Sequence, residues 1–200
     1  MKLYNTYTNS LEEFKPINDE YITIYYCGPT VYNYIHIGNA RPIIFFDTLK
    51  KFFEHKGKKV IMASNFTDIN EKILKQSIKE GISEMDCANK YIDAYLNDVR
   101  FLNADDSYLK PRVSETIPEI IDFVDALVKK GAAYEVDGDV FFRISSIKDY
   151  GELSNAKIDD LVVGARIEEN SKKESPLDFC LWKKTDVGIK WDSPWGKGRP

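Results

Sequence analysis

Between residues 21 and 102 the apolar positions alternate between the two periods that backbone geometry allows. Residues 21–27, YITIYYC, form a short β-branched and aromatic run, the pattern of a buried strand. The loop GPTVYNYIHIG follows. Phe45, Phe46, Leu49, Phe52 and Phe53 then recur at helical spacing, which predicts a helix from an Asn39 cap to about His55, with Pro42 tolerated in its first turn and Gly57 ending it. Residues 59–64 read as a second strand. Asp68 and Glu71 have capping-box spacing for a helix that stops near Gly81. Ser83 opens another helix, with Ala88, Ile92, Tyr95, Val99 and Leu102 on one stripe. Strands and helices in this order predict a parallel sheet covered by helices, with right-handed crossovers between neighbouring strands.

The pattern changes near residue 115. Thr116 and Glu119 are placed to cap a helix that ends at Gly131 and turns Ile117, Ile120, Ile121, Val124 and Leu127 inward. The stretch AAYEVDGDVFFRIS then reads as a hairpin, with Asp137-Gly138 at a type I′ turn. A short helical turn near 157–161, a strand at ARIEE, a charged loop NSKKES and a strand at DFCLWK complete a small mixed module. The expected organisation is an α/β domain over residues 1–115 and a connective module over 116–200. The terminal KWDSPWGKGRP carries two tryptophans, residues that pack on something, so the chain is expected to be cut short there.

Charge narrows the class. With 28 basic and 32 acidic residues the net charge is −4, against a free-standing nucleic-acid binder, which would carry a basic face. A mean hydropathy of −0.40, without a long uncharged apolar run, excludes a transmembrane helix. The segment MKLYNTYTNSLEEF lacks the apolar core of a secretory signal. Three widely spaced cysteines without a CxxC argue against a disulfide scaffold and for a reducing, cytoplasmic setting.

The chemistry concentrates in CGPTVYNYIHIGNARP, residues 27–42, which runs from a strand end through a loop to a helix start. Open parallel sheets bind ligands beyond their carboxyl ends, and the free amides of a helix N-terminus suit phosphate. His36 sits before that terminus, where it can donate to an anion, or it is an ordinary surface histidine. Gly38 lets a ligand approach the backbone. Asn39 is a helix cap or an amide donor to a ligand. Cys27, read by itself, is a small buried hydrophobe.

Taken whole, CGPTVYNYIHIGNARP resembles the signature region of cysteinyl-tRNA synthetases, a class I aminoacyl-tRNA synthetase family. The blocks FDTLKKFFEHKG, SNFTDINEKI, KPRVSETIPEI, GDVFFR, DLVVGARIE, DFCLWK and SPWGKGRP agree in the family's order. The resemblance covers essentially the whole chain. It implies an α/β fold with a Rossmann-type parallel sheet, the first half of the catalytic domain, and a small connective module. It implies activation of L-cysteine by ATP with Mg2+, then transfer to tRNA(Cys), in a cytoplasmic enzyme with no membrane role. His36 and Asn39 match catalytic positions, His36, Gly38 and Asn39 match ATP-binding positions, and Gly28 and Thr67 match positions near the bound cysteine. Thr67 reads equally as a helix-entry residue. Cys27 matches one ligand of a Zn2+ that selects the substrate thiol, a soft-ligand preference that a hydroxyl competitor lacks.

The family's second signature histidine is Asn39 in this chain. Its further zinc ligands, its KMSKS loop and its anticodon-reading domains are not among these residues, so this fragment alone is expected to be inactive. Cys87 and Cys180 read as packing residues. One alternative is a related ligase of the same fold that joins cysteine to an amino sugar, and another is a nucleotide-binding fragment without catalysis. The blocks DLVVGARIE and DFCLWK match the tRNA enzymes better.

Overall fold

The computed structural model describes residues 1–155 and 172–200. Among these the strands are β1 (Lys2–Asn5), β2 (Ser10–Glu13), β3 (Tyr21–Tyr25), β4 (Lys59–Ala63), β5 (Ala133–Val136), β6 (Asp139–Phe142), β7 (Phe179–Lys184) and β8 (Gly198–Arg199). The helices are α1 (Ile37–His55), α2 (Glu71–Glu80), α3 (Glu84–Phe101) and α4 (Ile117–Lys129). The chain divides into two compact units, one of Pro16–Thr116 and one that joins Met1–Lys15 to Ile117–Pro200. The helical turn expected at 157–161 and the strand expected at 165–169 lie outside the described residues.

In Pro16–Thr116, β3 and β4 pair in parallel from Tyr21 opposite Lys59 to Tyr25 opposite Ala63. The pairing continues past the strand ends, where Thr67 N donates to Pro29 O at 3.1 Å and Val31 N to Thr67 O at 3.3 Å. On the other side of β4, Leu109 N donates to Met62 O, Ser64 N to Leu109 O and Phe66 N to Pro111 O. Residues 109–112 therefore act as a third parallel strand. α1 links β3 to β4, and α2 with α3 links β4 to that third segment. Cys87, Ala88, Tyr91, Ile92, Tyr95 and Val99 of α3 pack with Val31, Ile43, Phe66 and Ile73 into the main core. Burying a side chain of this size contributes about 1.5–3 kcal/mol.

Two expected caps are replaced. Asn70, not Asp68, caps α2, its side chain accepting from Lys72 N at 3.0 Å. Asp68 is fully buried and accepts from the backbone N and the hydroxyl of Ser114, 46 residues away. Two donors delivered by the adjacent segment hold its carboxylate better than one helix amide would. Thr116 does not cap α4, because its Oγ1 donates to Arg112 O at 3.1 Å. Ser83 caps α3 as expected, accepting from Asp86 N, and Gly81 ends α2 in the left-handed region.

In the other unit β5, β6, β7 and β8 form an antiparallel sheet in that order. Asp137 and Gly138 have φ of +54° and +87°, the signs a type I′ turn needs. Trp182, Val140 and Phe141 are sealed from solvent. Buried Asp178 accepts from Tyr134 Oη at 2.7 Å, Ile144 N at 3.0 Å and Ser175 N at 3.1 Å. Burial, then Asp178, pushes the Tyr134 hydroxyl up to about 12. The half-buried Trp195 packs with its ring centroid 6.0 Å from that of Trp182.

The β1–β2 hairpin was not anticipated. It joins this unit through Tyr7 Oη, which donates to Glu152 at 3.2 Å, and Asn155 Nδ2, which donates to Thr6 O. Residues 1–15 therefore group with 117–200 and not with the parallel sheet. Among the described residues no helix is long and apolar enough to cross a membrane.

Candidate active site

The loop between β3 and α1 opens where the β3–β4 ladder is interrupted. Tyr26 N still donates to Ala63 O, and pairing resumes at Pro29 and Thr67. Gly28 lies in the gap. A Cβ there would stand 1.5 Å from Asn65 O, so only glycine lets the two backbones come this close. The Gly28 amide donates to the Asn65 side chain, Oδ1, at 3.1 Å. The same oxygen accepts from Tyr25 Oη at 2.9 Å, and Asn65 Nδ2 donates to Thr67 Oγ1 at 3.3 Å. The structure thus brings Gly28 and Thr67 together through Asn65, a residue the sequence reading did not single out. The spatial signal was absent, since Asn65 acts 37 residues from Gly28.

At the far end of the loop His36, not Asn39, is the N-cap of α1. Its Nδ1 accepts from Gly38 N at 3.0 Å, and Asn39 Oδ1 accepts from His36 N at 3.1 Å, which closes a reciprocal capping box. The physical reason lies at Gly38, where a Cβ would stand 2.6 Å from His36 Cε1; without one, the imidazole folds over the helix start. The space that Gly38 was expected to leave for a ligand holds the His36 ring. Because Nδ1 accepts, the neutral ring carries its proton on Nε2. Asn39 Oδ1 faces the backbone, which leaves Nδ2 as the outward donor. Helix N-terminus, imidazole N–H and amide N–H2 thus form a set of donors suited to an anion. Pro42 falls beyond the first turn of α1.

The loop is pinned to the helices behind it. Tyr34 meets the Tyr91 ring edge-on at 5.4 Å, and Lys72 Nζ lies 5.1 Å from the centroid of Tyr32. The Tyr91 hydroxyl donates to Glu80, which Lys90 Nζ also contacts at 2.8 Å. That lysine, then Tyr91, holds the Glu80 carboxyl down at about 2.

Cys27 lies two residues past β3 and is exposed. Among the described residues no three His, Cys, Asp or Glu side chains are grouped to hold a metal ion. Cys27 offers one soft ligand, and the described residues do not supply the rest of a zinc shell. Cys87 is fully buried in α3, as a packing residue should be. Cys180 is exposed, with Sγ donating to Trp182 O at 3.1 Å.

A parallel sheet with a glycine-bearing loop and a donor-rich helix start at its carboxyl edge is the frame of an open α/β domain, a class that takes its ligands at that edge. The family described as tRNA synthetases class I (C) catalytic domain matches residues 13–200, and the chain belongs to that family. Within it the chain is 55% identical to a cysteine–tRNA ligase of Finegoldia magna and 51% identical to one of Carboxydothermus hydrogenoformans, in both cases over 100% of this chain. It spans 44% and 43% of the lengths of those two relatives. A solved LeuRS of Agrobacterium radiobacter K84, in a ternary complex with tRNA and LeuAMS, is similar in fold, with a TM-score of 0.53 at 18% identity. That likeness covers 67% of this chain and 18% of the LeuRS chain.

Proposed function

We propose that the full-length protein carrying this chain is a cysteine–tRNA ligase. In this reading it uses ATP with Mg2+ to form cysteinyl-adenylate from L-cysteine and passes the aminoacyl group to tRNA(Cys), in the cytoplasm. The single observation that carries the reading is the 55% identity to a cysteine–tRNA ligase over the whole chain. The donor set at the start of α1 supports it. In the first step the cysteine carboxylate attacks the α-phosphorus of ATP and pyrophosphate leaves. Negative charge gathers on the phosphoryl oxygens, where preorganised donors count for more than a base. His36 Nε2 and Asn39 Nδ2 are the side-chain donors, and Gly38 keeps the imidazole seated. Gly28 and Thr67 border the amino-acid pocket, and residues 116–200 form the connective module.

Cys27 is proposed as one zinc ligand. A bound zinc would favour a thiolate substrate over a hydroxyl one, and its other ligands would come from outside the described residues. These 200 residues span less than half of the relatives' length, and we infer that alone they do not complete cysteine activation.

The test is cysteine-dependent ATP–pyrophosphate exchange by the full-length protein and its His36→Ala variant. The expected result is a fall in kcat of about 100- to 1,000-fold with the KM for cysteine little changed. A variant with unchanged kcat and a raised KM for cysteine alone would move His36 into the amino-acid pocket and defeat the assignment. Charging of tRNA(Cys), rather than of an amino sugar, separates this reading from a related ligase of the same fold.

A further inference from the structure

We propose that Asn65 is a positioning residue of the amino-acid pocket, which by donating to the Thr67 hydroxyl keeps that hydroxyl's proton available to the substrate. The proposal rests on the reading of the pocket given above, and follows from counting donors. A backbone amide can only donate, so the Gly28 N–H, 3.1 Å away, forces the oxygen of the Asn65 side chain to face it. The nitrogen must then face Thr67, 3.3 Å away, and donate to Oγ1. Once Oγ1 accepts there, its own proton is not needed by Asn65. Among the described residues no acceptor receives that proton, although Thr67 is only partly exposed. Oγ1 therefore keeps its proton unspent beside Gly28, with one lone pair already taken by Asn65.

The neighbouring backbone holds this arrangement. Thr67 N donates to Pro29 O and Thr67 O accepts from Val31 N, which fixes Thr67 against the residues that follow Gly28. Tyr25 Oη, donating to Asn65 Oδ1 at 2.9 Å, occupies the second lone pair of the amide oxygen. The amide is thereby locked against a flip by two donors on one side.

Aspartate has nearly the same shape as asparagine but the opposite polarity toward Thr67. It keeps the acceptor for Gly28 and Tyr25, yet its second oxygen takes the Thr67 proton for itself. Asn65→Asp therefore leaves the backbone anchored and removes the donor from the pocket, whereas Asn65→Ala releases the anchor as well.

The experiment has two arms, both on the full-length protein. In the first, amide hydrogen exchange at Gly28 should be slow in the wild type and in Asn65→Asp and faster in Asn65→Ala. Unchanged protection in Asn65→Ala would overturn the contact whatever the substrate is. In the second arm, ATP–pyrophosphate exchange should show Asn65→Asp raising the KM for cysteine about tenfold, with the KM for ATP within about twofold of wild type. Thr67→Val should do the same, and Thr67→Ser, which keeps the hydroxyl, should restore cysteine binding. In the Thr67→Val background Asn65→Asp should cost less than about twofold more. A full tenfold cost in that background would show that Asn65 does not act through Thr67 and would overturn the proposal. A wild-type protein without cysteine-dependent exchange would overturn the ligase reading and with it the substrate role of Thr67, while the Gly28 amide still decides the Asn65 contact.

Discussion

Gly28 and Gly138 each bring the chain close to another backbone, but for opposite reasons. Gly138 is demanded locally, because its φ of +87° belongs to a two-residue turn that the adjacent Asp137 shares. Gly28 has no such torsion. It is demanded by the Asn65 carbonyl, which reaches it across a parallel pair joined only through α1. One glycine serves the shape of its own turn, and the other serves an approach between distant segments at the candidate site. The Pro16–Thr116 unit repeats the second case throughout: Asp68 with Ser114, Asn65 with Gly28, Lys50 with Asp105.

The contrast is sharpest at Gly28→Ala, for which the largest loss is expected. A methyl group 1.5 Å from a carbonyl oxygen cannot be absorbed by a rotamer change, and β3 and β4 would have to part beyond their ends. Overpacking of this severity should cost about 3 kcal/mol or more, read as a lower denaturation midpoint in urea. If Gly28→Ala cost no more than Gly138→Ala, the distinction between the two glycines would fall. Asp68→Ala comes next. It strands the N–H and hydroxyl of Ser114 beside a fully buried position, at about 2–3 kcal/mol. Asp68→Asn, which keeps one acceptor, should recover part of that in the same measurement.

What could be read from the sequence follows the same line. The Ser83 cap, the helix end at Gly81, the Asp137-Gly138 hairpin and the Ala88, Ile92, Tyr95 and Val99 stripe of α3 all depend on neighbours within a few residues, and all are found, whereas Leu102 falls just past the helix and is half-buried. The signature loop was legible as a motif. Its geometry was not, because imidazole is an uncommon cap and the sign of it was Gly38 and Asn39 at the second and third helical positions. Asp68 was misassigned because its spacing to Glu71 mimics a cap, while its partner lies 46 residues away. The β1–β2 hairpin escaped because its four-residue strands have between them no turn signal like the Asp137-Gly138 pair that marks the equally short β5 and β6. Asn65 had no local signal at all, and it is the residue that ties Gly28 to Thr67.

Gly138→Ala tests the local side. A left-handed torsion costs an alanine about 1–2 kcal/mol, and its methyl would meet Trp195 O at 3.0 Å as well as Lys184 Cδ at 2.8 Å. The lysine can swing away, but the carbonyl cannot. Gly138→Asn, a residue that tolerates this torsion, would relieve the torsional part and leave the steric part, so the two should separate by about 0.5–1 kcal/mol in urea denaturation. Equal losses would place the whole cost in the contact and bring Gly138 nearer to Gly28.

The smallest expected effect is the acid response of Asp105. Lys50 Nζ donates to its Oδ2 at 2.6 Å from 55 residues away, and the Ser107 amide and hydroxyl add two more donors. The lysine, more than Ser107, holds the Asp105 carboxyl down at about 2, against an ordinary 3.8. The folded value lies below the unfolded one, so the ionised carboxylate favours the fold. That stabilisation is complete above about pH 5 and is lost as the pH falls through 4 toward 2. Because the Asp105 side chain keeps 25% of its surface exposed, solvent screening limits the contribution to about 1 kcal/mol. Asp105→Asn should flatten stability against pH over that window, measured as urea midpoints at matched ionic strength. Asp125→Asn is the local counterpart, since its partner Lys129 lies one turn away on α4. It should leave the same limb nearly unchanged, because exposed pairs at this spacing contribute about 0.3–0.5 kcal/mol. If the two variants altered the acid limb equally, reach along the chain would no longer distinguish the two ion pairs.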